Sequence, residues 1–112
     1  MKRYEVKWSH EAIYDAADIT DYIESEFGSR RADKFEDDID AEVEKLGTDH
    51  NFYTDADGIY YRGYLIRKKV FSPSIIFYFV DKKAETVYVI RILRHEVNWQ
   101  QLLREALFYT FD

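Results

Sequence analysis

The chain has no cysteine, a single proline and only four glycines among its 112 residues. The lack of cysteine excludes disulfides, thiolate metal sites and cysteine nucleophiles. Scarce proline and an aromatic content of 18% argue against disorder. No apolar run approaches the roughly 20 residues that span a bilayer, and the start MKRYEVKW lacks the apolar segment of a signal peptide. We therefore expect one cytoplasmic domain over residues 1–112 with no membrane partner.

Charge is distributed unevenly along the chain, whose formal net charge is −6. Residues 1–58 carry 17 acidic and 7 basic side chains, and residues 59–112 carry 5 acidic and 9 basic, so the halves have net charges of −10 and +4. A basic half can bind phosphate locally if its charges share one face, although the whole acidic chain would not bind nucleic acid non-specifically. The ordinary alternative is that the acidic helices are simply solvated.

Hydrophobic periodicity predicts a strand followed by two helices in the first half. Tyr4 to Trp8 alternates apolar and charged residues, as in a half-buried strand. Two apolar stripes then predict helices near 9–27 and 29–46, which Gly28-Ser29 joins as a tight hairpin. The stripes consist of Ala12, Ala16, Ile19, Ile23 and Phe27, and of Ala32, Phe35, Ile39, Val43 and Leu46.

The second half changes to an extended pattern. Turn formers in 48–58 predict a loop. Strands are predicted at Tyr64–Phe71, Ile75–Val80 and Thr86–Arg94, with turns at 72–74 and 81–85. A C-terminal helix begins at Glu96 or Asn98 and carries Trp99, Leu102, Leu103, Ala106 and Leu107. A helical hairpin on one face of a small antiparallel sheet is an α+β architecture.

Basic residues in the predicted strands are the candidate functional residues. Arg91 is embedded in apolar sequence, where a guanidinium is rarely tolerated unless it is paired or solvated. If the Arg67/Lys69 face of its strand is the open one, these two residues share a sheet surface with Arg91. Arg94 and His95 then lie at its rim, and the surface offers several donors to a phosphate. Alternatively, alternating Lys and Arg residues simply solvate a half-exposed sheet.

Side chains alternate along a strand, so if Arg91 lies on the open face, the residues of the last strand that face the helices are Tyr88, Ile90 and Ile92. His95 can transfer protons near neutral pH, or it can cap the turn between strand and helix. No histidine has a metal-site spacing with acidic residues. The sequence also lacks P-loop, GxGxxG and GxSxG motifs, so we predict no metal or cofactor site.

The order of elements and the residues together resemble the RelE/ParE superfamily of type II toxin–antitoxin toxins. The segment YEVKWSHEAIYDAADITDYIE resembles its first strand and helix, and GYLIRKKVFSPSIIFYFVDKKAETVYVIRILRHEVNW resembles its three-stranded core and closing motif. The resemblance covers Tyr4 to Leu103. It implies a toxin of a plasmid-stabilisation module that arrests growth. A cognate antitoxin would neutralise it by wrapping an extended segment and a helix around it.

Two branches of the superfamily imply different targets. RelE-like toxins cleave mRNA on the ribosome, whereas ParE-like toxins poison DNA gyrase and are not known as nucleases. The RelE-like reading assigns catalytic roles to the strand and strand-end residues Arg67, Lys69, Arg91, Arg94 and His95. The ending RILRHEVNW and the acidic pI of about 5.1 favour the ParE branch. A third reading is a degenerate, non-toxic binding module. The resemblance leaves open whether the protein is an endoribonuclease, and whether it forms a homodimer or a heterotetramer with the antitoxin.

Overall fold

A computed structural model describes residues 2–112 of the chain and confirms the predicted α+β fold. The first half contains β1 (Glu5–Trp8), α1 (His10–Phe27), α2 (Ser29–Glu44) and the short α3 (Leu46–Asp49). The second half contains β2 (Asp55–Tyr61), β3 (Tyr64–Phe71), β4 (Ser74–Asp81), β5 (Thr86–Arg94) and α4 (Trp99–Glu105). Within residues 2–112, none of the helices has the length and apolar character required to cross a membrane.

The sheet has five strands in the order β1-β5-β4-β3-β2. Strands β2 to β5 pair antiparallel, and β1 pairs in parallel with β5 at one edge. The prediction of a loop over 48–58 is wrong in part, because β2 begins at Asp55. The strand was not predicted because it contains the turn formers Asp57 and Gly58. These two residues have φ angles of 54° and 69°, and the register shifts between Asp55 and Tyr60. Positive φ angles of this kind are typical of strand irregularities.

Ser9 fixes the start of α1 against the sheet. Its buried hydroxyl accepts a hydrogen bond from the backbone N–H of Ala12 (2.9 Å) and donates one to the carbonyl of Ile90 (2.7 Å). A serine before the first helical residue satisfies a backbone donor that would otherwise lack a partner. Gly28, with φ 93°, then turns the chain directly into α2. The start of α1 is therefore held against β5, and Gly28 connects the end of α1 to α2.

The two apolar stripes of the hairpin pack on one face of the sheet, as predicted, except for Phe27 at the end of the first stripe, which is 56% exposed. The core there includes Ile39, Tyr78, Val87 and Val89, all fully buried. We call this side of the sheet the hairpin face.

The opposite side, which we call the second face, is also covered. Trp99 and Leu103 of α4 pack there with Ile90 and Phe77. The prediction that one sheet face is open to water is therefore wrong over much of the sheet.

A register shift in β5 explains the misassigned faces. Arg91 pairs with Phe77 whereas Val89 pairs with Tyr78, so Ile90 is the extra residue of a bulge. The predicted helix-facing positions Tyr88 and Ile90 pack on the second face instead. Ile92 does lie on the hairpin face. One extra residue exchanges the two faces of a strand, because side chains alternate with a period of two.

Candidate functional site

Arg91 is held by a carboxylate on α1. Its Nε donates to Oδ2 of Asp15 (2.7 Å) and a terminal nitrogen donates to Oδ1 (2.9 Å), while the backbone N–H of Ile92 also donates to Oδ2 (3.0 Å). The hydrogen bonds that Arg91 donates to Asp15 raise the pKa of Arg91. Burial raises the pKa of Asp15, and the donors from Arg91 and Ile92 oppose that rise. The embedded arginine is thus one half of a bidentate pair that ties the helical hairpin to β5.

Lys69 lies on the hairpin face, contrary to the prediction that it lines an open surface. Its side chain is only 5% exposed, and its ammonium contacts Oε2 of Glu42 on α2 at 2.8 Å. The same ammonium donates to the backbone carbonyl of Glu42 (2.9 Å) and lies 5.2 Å from the ring centre of Tyr53. Hydrogen bonds from Lys69 and Lys45 lower the pKa of Glu42. This lysine therefore anchors α2 to β3.

Arg67 lies on the same face as Lys69, two positions earlier on β3. It pairs across the strands with the buried Tyr78, and it donates to the backbone carbonyl of Tyr53 (2.8 Å). Tyr78 in turn donates to the carbonyl of His50 (2.7 Å). Arg67 and Lys69 thus donate to backbone carbonyls of α2 and of the connection that leads from it to β2.

Arg94 and His95 lie at the end of β5. Arg94 forms an ion pair with Glu96, and its guanidinium lies 3.7 Å from the ring centre of Tyr22 on α1. His95 is exposed, with Nε2 lying 3.4 Å from the hydroxyl of Ser72. Its backbone N–H donates to the carbonyl of Pro73 (3.2 Å), so the β5 end is linked to the β3–β4 turn.

The five predicted residues are not gathered around one phosphate-sized site. Arg91 and Arg94 line a common cleft of about 280 Å³ with Asp15, but Arg67, Lys69 and His95 do not line it. An oxyanion-stabilising site needs several donors aimed at one point. Here four of the donors are directed to carboxylates or carbonyls of the chain itself.

Sequence reasoning missed the acidic partners of these cations. Asp15 occupies a buried position of the α1 stripe, between Ala12 and Ile19 at spacings of three and four. A carboxylate on a buried stripe is a signal for a buried cation nearby. Together with the embedded Arg91, that signal could have predicted the pair.

Two apolar grooves flank the helical hairpin. The groove between α1 and α2, of about 540 Å³, has an apolar lining and an acidic rim. Its apolar residues are Trp8, Ile13, Ala16, Ala17 and Ile39, and its rim includes Asp21, Glu36 and Asp40. A second groove of about 410 Å³ lies between the hairpin tip and the β3–β4 turn, where Phe27 is 56% exposed. Grooves of this kind accept apolar segments of partner proteins.

Comparison with known proteins finds a matching family model and a solved structure with a similar fold. The family model described as "ParE toxin of type II toxin-antitoxin system, parDE" matches residues 6–99. A solved structure titled "Chromosomal ParDE TA system from P. aeruginosa" superposes with a TM-score of 0.68 at 22% sequence identity. That match covers 86% of this chain and 100% of the other, and at this identity it shows a common fold. A sequence search of curated proteins gave no match.

Proposed function

This chain belongs to the family of ParE toxins of type II toxin–antitoxin systems, and we propose that it arrests growth by poisoning DNA gyrase and not by cleaving mRNA. The observation that carries the choice is the engagement of its strand cations within the chain. Arg91 is bound to Asp15, and Lys69 is bound to Glu42. A nuclease would need such cations free to stabilise charge on the scissile phosphate.

We also propose that an antitoxin segment neutralises the protein by covering apolar surface. The support is the pair of grooves beside the helical hairpin, together with large apolar side chains at their edges. Ile13 is 49% exposed and Phe27 is 56% exposed. Exposed charges alone contribute little affinity because salt screens them, so an antitoxin has to bury apolar side chains as well.

On this proposal, the C-terminal segment from Trp99 onward contacts gyrase. Leu107 and Phe108 are adjacent and expose 83% and 63% of their surface. Neighbouring large apolar residues at this exposure are unusual in a protein that binds nothing. Replacing both by serine should abolish toxicity while leaving the fold intact. A matched control is Phe52→Ser, which removes a side chain that is 68% exposed in the connection before β2.

The test is induced expression in a sensitive host, with mRNA-cleavage mapping and chromosomal break mapping from the same culture. The proposal expects gyrase-dependent DNA breaks, no new mRNA ends, and rescue by coexpression of the adjacent open reading frame. Specific mRNA cleavage would contradict the proposal and assign the protein a RelE-like activity. Harmless expression of the folded protein would favour a non-toxic binding module.

A further inference from the structure

An aromatic cleft lies on the second face of the sheet, at the end where the β2–β3 and β4–β5 turns meet. The cleft measures about 260 Å³ and is lined by the rings of Tyr61, Tyr64, Phe79, Tyr88, Tyr109 and Phe111. Neighbouring rings have centroid separations of 4.7–5.7 Å. Phe79 and Tyr109 are buried, whereas the other four rings are half-buried and leave part of their surface open.

Three basic residues lie in the two turns at this end of the sheet. Arg62 lines it, with the guanidinium 5.4 Å from the ring centre of Tyr61. Lys82 and Lys83 directly follow Asp81, which also lines the cleft. All three basic side chains are exposed, and none forms an ion pair with any residue in the described range 2–112.

The strand register places these cations at one end of the sheet. Tyr61 pairs with Tyr64 across the turn that contains Arg62, and the hydroxyl of Tyr64 donates to Asp81 at 3.1 Å. Asp81 pairs with Thr86 across the turn that contains both lysines. The carboxylate of Asp81 also accepts a hydrogen bond from the N–H of Ala84 (3.0 Å). Glu85, in the same turn as the lysines, is paired with Lys2 at 2.9 Å. The three cations without an ion pair therefore outnumber Asp81, the acidic residue that lines the cleft, and give this end of the sheet a positive charge.

The local charge is opposite to that of the chain as a whole. Acidic residues outnumber basic ones by 22 to 16, so a shortage of carboxylates does not explain why these cations lack partners. Two of the rings, those of Tyr109 and Phe111, belong to the tail beyond residue 99, where the match to the family model ends. The aromatic cleft is thus built in part by a segment that the family model does not describe.

We propose that the aromatic cleft binds single-stranded nucleic acid, with an unpaired base stacked on the half-buried rings and flanking phosphates bound by Arg62, Lys82 and Lys83. Stacking on aromatic side chains is tolerant of sequence, because every base has a π face. Duplexes are excluded, since their base faces are already stacked. The inference does not depend on the proposed target, because it requires neither gyrase nor a ribosome.

Binding is measured by fluorescence anisotropy with a labelled 12-nucleotide single strand of DNA, the same sequence as RNA, and the DNA duplex. We expect the single strands to bind at least about 10-fold more tightly than the duplex, because stacking dominates. Three phosphate contacts predict a slope of about −2 for the logarithm of affinity against the logarithm of salt concentration. Equal affinity for DNA and RNA supports a site that reads base and phosphate only, and tighter RNA binding assigns the site to RNA.

Paired variants separate stacking from charge. Tyr64→Leu should weaken binding roughly 5- to 100-fold, whereas Tyr64→Phe, which keeps the ring, should retain it. Replacing Lys82 and Lys83 by alanine should weaken binding and make the salt slope shallower by about 1.4. Replacing the exposed Arg30 and Arg31 of α2 by alanine makes the same charge change at a distant place and should have little effect.

Several results would overturn the inference. They are an absence of single-strand binding at low salt, equal binding of duplex and single strand, and equal loss in the two alanine pairs. Competition by a polyglutamate peptide as effective as that by the unlabelled oligonucleotide would also overturn it, since the cations would then act without the rings. Urea midpoints of all variants establish that each protein is folded.

Discussion

The pair between Asp15 and Arg91 makes the sharpest prediction about how the hairpin is held on the sheet. Replacing Asp15 by alanine leaves a guanidinium whose side chain is 23% exposed without its carboxylate, and it removes the acceptor of the Ile92 N–H. Breaking a buried ion pair costs about 3–5 kcal/mol. Because both side chains retain some solvent contact, we expect about 3 kcal/mol for the free energy of unfolding.

A double-mutant cycle in urea measures this interaction. The variants are Asp15→Ala, Arg91→Ala and the double variant, and we expect a coupling free energy of about 1–3 kcal/mol. The exposed pair of Lys34 and Asp38 on α2 provides the control, with side chains 75% and 42% exposed. Its coupling should be below about 0.5 kcal/mol. If each single variant of the Asp15 pair costs less than about 1 kcal/mol and the cycle shows no coupling, the pair does not hold the hairpin on the sheet.

Three further predictions follow from other contacts. Lys69 and Lys45 lower the pKa of Glu42 in the folded protein. The ionised carboxylate therefore stabilises the folded state at pH values above its unfolded pKa, and this stabilisation is lost as the pH falls through the lower folded pKa. Urea midpoints of Glu42→Gln and the wild type should therefore differ at pH 7 and converge in acid. Ile39→Ala, which empties a position that is 1% exposed, should cost about 2–5 kcal/mol in urea unfolding. His95→Ala should retain full toxicity in growth assays, since the exposed imidazole has no catalytic role in our proposal; a non-toxic but folded variant would contradict that.

The helical hairpin could be predicted from the sequence because both stripes have a regular helical period and a glycine marks the boundary. Ile19 and Ile39 are buried as their spacing implies. Strand β2 could not be predicted in this way, since Asp57 and Gly58 occur inside it. Asp57 and Gly58 keep the positive φ angles of turn residues and interrupt the register, while Asp55 and Tyr60 on either side pair with β3.

The candidate site was predicted less well, for a physical reason. Residue types locate cations along the chain, but the register decides which face each one reaches. The bulge at Ile90 cannot be predicted from composition, and Tyr88 and Ile90 lie on the face opposite to the predicted one. The partners of the cations, Asp15 and Glu42, lie on helices distant in sequence. Periodicity within one strand does not report such tertiary contacts.

The proposed target is tested most directly by adding the purified protein to DNA gyrase with relaxed plasmid and ATP. We expect loss of supercoiling and accumulation of gyrase-dependent linear DNA, both reversed by adding the antitoxin. Ribosomes translating a defined mRNA, treated in parallel, should yield no new RNA ends. Unimpaired gyrase together with codon-positioned mRNA cleavage would show that the target is mRNA and not gyrase.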